Sequence, residues 1–163
     1  MFTSKLPIAL LFASFIAGPS TVLAQHEDRD QPYSLSSMNG EFALVGTYTG
    51  GIARQLGVVH FTDGDVTGFL RVNVQGSTPT QRIVVYVSFV GTMTIAEDGT
   101  GVVTLTVTYP DQSVHQATLD VLITKAYENR GVKIATEIAS MQRETLALSP
   151  GSLIVGTLTR RPK

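Results

Sequence analysis

Between Arg82 and Thr108 the chain reads RIVVYVSFVGTMTIAEDGTGVVTLTVT, and this run constrains the fold more than any other. Ile83, Val85, Val87, Phe89, Met93 and Ile95 alternate on one face, the period of an extended strand rather than a helix. Val84, Tyr86 and Val90 make the other face apolar as well, so the strand needs cover on both sides. Asp98-Gly99 then turns the chain, and a second strand returns from Gly101. Two strands cannot bury that much surface between them. The rest of the chain must wrap them into a sandwich or a closed barrel.

The remainder supplies the strands to do so. Runs rich in Val, Ile, Thr, Phe and Tyr predict strands over Glu41–Thr49, Ala53–Phe61, Val66–Val74 and Gln81–Ile95. The same reading gives Gly101–Tyr109, Val114–Thr124, Val132–Gln142 and Ser152–Arg160. Turn chemistry separates them at Gly50-Gly51, Asp63-Gly64, Gln75-Gly76, Pro110-Asp111, Asn129 to Gly131 and Pro150-Gly151. Three-residue loops at Thr62–Gly64 and Glu97–Gly99 set two registers. The first pairs Leu56, Val58 and His60 with Leu70, Gly68 and Val66; the second pairs Phe89, Gly91, Met93 and Ile95 with Val107, Leu105, Val103 and Gly101. Gly-Thr-x-Thr recurs at Gly46, Gly91 and Gly156, placing a glycine inside three strands where a sheet would curl. The expectation is an all-β domain, an eight-stranded antiparallel β-barrel, with a two-sheet β-sandwich as the alternative.

The ends read differently. Residues 1–24 have the order of a secretory signal peptide: Lys5, an apolar run from Leu6 to Ala17, Gly18-Pro19, then Val22-Leu23-Ala24. Residues 25–39 are polar, acidic and aperiodic, which predicts a flexible linker. The barrel domain then occupies residues 40–163, in a secreted or periplasmic protein with no membrane span after processing. Cysteine is absent, so stability must come from the core or from association rather than disulfides. A net charge of −1 without a basic stripe argues against a nucleic-acid partner.

A few residues depart from the strand pattern. Glu137 stands mid-strand within IATEIASM, in phase with Ala135, Ala139 and Met141, and Asp120 has a similar place in TLDVL. A symmetric turn over Lys125–Gly131 would set the two carboxylates opposite each other, raising one pKa to make a catalytic acid/base pair in a lumen. The alternative is an outward position paired with Arg or Lys, the commoner arrangement for charged strand residues. Tyr48, His60, Arg71 and Tyr86 are candidate ligand-binding groups; their ordinary roles are core packing for the tyrosines, a hydrogen-bonded core or rim position for His60, and a surface position for Arg71. No phosphate loop, nucleophile triad or metal-spaced histidine cluster occurs, so neither a cofactor nor a metal is expected.

Gly46-Thr-Tyr-Thr-Gly50, the Asp63-Gly64 hairpin, Gly91-Thr-Met-Thr94 and Glu97-Asp-Gly-Thr-Gly101 together resemble the allene oxide cyclase-like barrels, relatives in shape of the dirigent proteins, here as a secreted bacterial member. The resemblance spans roughly residues 40–160 and rests on turns and bends rather than on a catalytic motif. It implies an eight-stranded barrel, often trimeric, with an apolar lumen that in the plant enzymes folds a fatty-acid epoxide for ring closure without a cofactor. Some bacterial relatives in shape guide polyketide cyclisation.

The function expected first is binding of a small hydrophobic molecule in the lumen. A cofactor-free cyclase or isomerase using the same lumen is second, and a non-catalytic structural or interaction module third. Apolar residues on both faces of the long strand predict a homo-oligomer, with a trimer foremost. Export predicts cleavage after Ala24: amino-terminal sequencing of the exported protein should begin at Gln25, and a retained Met1 would contradict the signal-peptide reading.

Overall fold

The long apolar strand is closed over by its neighbours in a single sheet. A computed structural model describes residues 31–48, 53–78, 80–143 and 153–162; the expected signal peptide and the Gly50-Gly51 and Pro150-Gly151 turns lie outside these residues. The strands are β1 (Gly40–Tyr48), β2 (Ala53–Thr62), β3 (Asp65–Gln75), β4 (Arg82–Ile95), β5 (Thr100–Thr108), β6 (Val114–Asn129), β7 (Val132–Gln142) and β8 (Ile154–Arg160). Each pairs antiparallel with the next, and β8 pairs back onto β1 from Phe42–Arg160 to Tyr48–Ile154, closing the barrel. Closure leaves no sheet edge, the liability that an open sheet of this composition would carry. The sandwich alternative is excluded.

Alternation sorts the side chains. Val87, Phe89 and Met93 of β4 face the interior, buried, while Val84, Tyr86 and Val90 on the outer wall are at least half exposed in the single chain. The β4–β5 register is the expected one, Phe89 to Val107 through Ile95 to Gly101. At Gly91 an added Cβ would run into the Thr104 carbonyl oxygen, so this inward position can hold only glycine where the strands approach.

Two hairpins differ from expectation. The β2–β3 loop is Asp63-Gly64 alone, both with positive φ (49° and 98°), and Thr62 pairs with Asp65. This two-residue turn matches the strand twist better than the expected three-residue loop. It slips the register by one, so His60 meets Thr67 rather than Val66. The β6–β7 turn is likewise only Arg130-Gly131 (φ 53° and 76°), and β6 runs on to Asn129 instead of ending at Thr124.

The segment expected as the end of a flexible linker is folded. Leu35–Met38 form a short helix, α1, that packs on β7, β2 and β4. Met38 and Phe42 are fully buried, and the Phe42 and Phe61 rings meet edge to face at 5.4 Å. The Arg160 guanidinium lies 4.6 Å over the Phe42 ring. It donates to the carbonyls of Asn39 (2.7 Å) and Ser37 (3.2 Å), satisfying acceptors that the helix end leaves free, and to the Ala135 carbonyl of β7 (2.5 Å). Asn39 and Asp63 exchange hydrogen bonds of 2.7 and 2.8 Å, tying α1 to the β2–β3 turn. Apolar Tyr33, Leu35 and Met38, set among polar neighbours, make this a plug for one end of the barrel rather than a linker.

Met38→Ala should therefore cost about 2–5 kcal/mol, the range for emptying a buried large side chain, read from denaturant unfolding. A loss below about 0.5 kcal/mol, the size of a surface substitution, would mean the plug is not docked.

Candidate functional site

The plug fills only one end of the interior. Met38, Phe42, Met93, Ile123, Ala135 and Ile138 pack that end solid, with Phe61 and Val66 as the floor of the space beyond. Above that floor lies a cavity of about 80 Å³, where one water needs roughly 10–15 Å³. Leu70, Val72, Phe89, Leu105, Ala117 and Leu119 are among its walls. With Phe89 the one aromatic side chain among these six, the others being aliphatic, the interior of an eight-stranded barrel, which larger side chains can fill, keeps a narrow channel.

Among the described residues, polar groups enter this cavity toward the end away from the plug. Tyr48, Gln55, Tyr109, Ser140 and Gln142 line it there, and among the described residues none of its lining is charged. Gln55 pairs across to Gly46, Gly46 to Gly156, and Gly156 to Ser140, so two adjacent strands carry no side chain between these polar groups. A Cβ at Gly46 would lie 2.6 Å from Gln55 Nε2, so any larger residue there would displace the Gln55 side chain from this position. Ser140 Oγ donates to the Gly156 carbonyl at 3.3 Å. Gln55 and Gln142 are 3% and 2% exposed, and Gln55 Oε1 and both amide atoms of Gln142 lack any hydrogen-bond partner.

Of the candidates read from sequence, Tyr48 alone reaches the lumen. Glu137 does not. It lies on the outer wall, accepting from Lys125 Nζ at 2.9 Å and Thr124 Oγ1 at 3.0 Å. The cause is a bulge in β7: Ala126 pairs with Ala135 but Lys125 with Glu137, so Ala135 and Ile138 both turn inward. Ala139 and Met141 then share the outer face with Glu137, and Ala135 does not.

Asp120 is outward too, held by Arg143 through Nε at 2.9 Å and Nη2 at 2.6 Å. It pairs with Met141, not Glu137, because of the tight Arg130-Gly131 turn. The expected acid/base pair is therefore absent. Both carboxylates sit below their ordinary pKa, Asp120 through the Arg143 hydrogen bond and Glu137 through Lys125 and then Thr124. They are ionised at neutral pH, the opposite of a proton-donating partner.

The register slip carries His60 to the outer wall, 3.4 Å from Glu41. Arg71 and Tyr86 are outward as well, the guanidinium 5.4 Å above the Tyr86 ring. Gln55, Tyr109, Ser140 and Gln142 were not singled out in the sequence. The signal for Gln55 was its phase with Ala53, Val59 and Phe61, masked by apolar Leu56 and Val58 on the other face. For Ser140 and Gln142 it was their phase with Ile138, which the bulge separates from the rest of β7. Among the described residues no cluster of His, Cys, Asp and Glu is arranged to hold a metal ion.

Burial pushes the Tyr48 hydroxyl from 10.0 up to about 12, and Tyr109 adds to the shift. Tyr109 is itself raised, first by burial and then by Asp111. Tyr48 therefore keeps its proton at physiological pH. Above the unfolded value the unfolded chain loses this proton while the folded chain holds it, so stability should fall as pH rises from 10.0 to about 12. Tyr48→Phe should make that alkaline loss shallower in denaturant melts. An unchanged alkaline slope would place Tyr48 in water.

Comparison with protein-family models, curated proteins and solved structures finds no match to this chain.

Proposed function

We propose that this is a secreted or periplasmic protein that holds a small apolar molecule in the lumen of its barrel. The observation that carries the reading is a barrel plugged at one end by well-packed side chains yet left hollow and apolar above Phe61 and Val66. Natural cores close such spaces to near-crystalline density, so a channel that persists beside a fully packed end points to an occupant. Residues 1–24 support export. The enclosed apolar lumen is also what the resemblance to allene oxide cyclase-like barrels implies. The cyclase reading loses its acid/base pair to the outer wall, which leaves binding as the activity supported best.

Native mass spectrometry of the mature protein, with displacement of the apolar fluorophore N-phenyl-1-naphthylamine, tests the reading. The protein should carry a small molecule or bind the fluorophore, and Ala117→Phe, which fills the channel, should lose that binding while Val114→Ser on the outer wall keeps it. No adduct and no fluorophore binding would contradict it, as would an Ala117→Phe variant that folds and binds like the parent. The same spectrum counts chains. We propose a homo-oligomer from the exposed outer strip of Val84, Tyr86, Val90 and Leu56, and a single-chain mass alone would overturn that part.

A further inference from the structure

Among the described residues, the buried side-chain nitrogen and oxygen atoms that lack any hydrogen-bond partner are Gln55 Oε1 and both amide atoms of Gln142: two amide oxygens and one amide nitrogen. Burying such atoms unpaired is costly, and native interiors seldom tolerate it. Both side chains line the same cavity, with Gly46 and Gly156 clearing the wall between Gln55 and Ser140. The requirement they set is specific. Two oxygens call for two donors, and one NH₂ calls for an acceptor.

We propose that the lumen selects slender amphiphiles with an uncharged head that both donates and accepts hydrogen bonds, a primary carboxamide being the closest complement, seated between Gln55 and Gln142. This rests on the reading of the lumen as a binding site and adds the class of molecule. A primary amide brings two N–H donors and one carbonyl, answering all three unmet atoms. A carboxylate answers only the NH₂ and brings a charge into a cavity whose lining, among the described residues, holds no opposite charge. An ester offers no donor and leaves both oxygens orphaned. The tail then runs along Leu70, Leu105 and Phe89 toward the floor at Phe61 and Val66. From Tyr109 to Val103 β5 offers about 20 Å of strand at about 3.4 Å per residue, foreshortened by strand tilt to about 15 Å along the axis, which suits a tail of medium length.

The test is calorimetric binding of octanamide, methyl octanoate and octanoate at pH 8 to the mature protein, its Gln142→Leu variant and its Gln55→Leu variant. Octanamide should bind about tenfold or more tighter than the ester, the worth of a buried hydrogen bond, with octanoate weakest. Gln142→Leu should erase most of that preference, keep ester binding, and raise the melting temperature of the empty protein because it removes two orphaned atoms. Gln55→Leu should weaken octanamide alone by a smaller factor. Equal binding of amide and ester by the parent protein overturns the head-group assignment while leaving the apolar lumen standing. Binding of none of the three overturns the lumen reading itself. A preference for octanamide that survives both variants places the head elsewhere and also overturns the assignment.

Discussion

Closure of β1 against β8 is the constraint on which the other features depend. Once the sheet is a cylinder, every strand has an inner and an outer face, and the inner faces share one small volume. Gly91 admits the close approach of β4 and β5 that this curvature demands. Gly46 and Gly156 meet at the β1–β8 seam, where their missing side chains leave room that Gln55 and Ser140 enter. The geometry that shuts the barrel thus also shapes the polar end of its lumen.

The interior is then divided along the axis by what fills it. At one end α1, Met38, Phe42 and Arg160 make a packed and hydrogen-bonded stopper. Burial of each large apolar side chain there contributes about 1.5–3 kcal/mol, which matters in a chain with no disulfide to lean on. The far half gives up such packing, and its two orphaned glutamines lower stability further. Departures from good packing and hydrogen bonding that gather in one place mark sites of function more often than accidents of folding. The outer wall, by contrast, satisfies its charges: Glu137 with Lys125, Asp120 with Arg143, Glu41 with Arg161.

Alternation in β4 and the Asp-Gly turns made the strands and their order legible in the sequence, since a period of two and a turn residue are local properties. Which face of a strand is inward is a different matter, set by register and decided far from the residue concerned. One residue fewer in the Asp63-Gly64 loop sends His60 outside. The extra residue at the β7 bulge does the same to Glu137, although Ala135, two positions earlier, stays in. The polar residues that do face the lumen escaped notice because glutamine beside arginine, as in Arg54-Gln55 and Gln142-Arg143, reads as surface. Nor did the acidic run before Gly40 reveal the plug, whose helix of Leu35–Met38 is too short for periodicity and forms by docking.

A lumen that is hollow above its packed floor can be seen in a crystal of the mature protein under xenon pressure. Apolar cavities that stay open take up the gas. Xenon should appear bounded by Leu70, Phe89, Leu105 and Leu119, below the level of Gln55 and Gln142, or a bound molecule should already be there. A lumen in which those side chains meet, with no room for xenon and no ligand, would contradict that expectation.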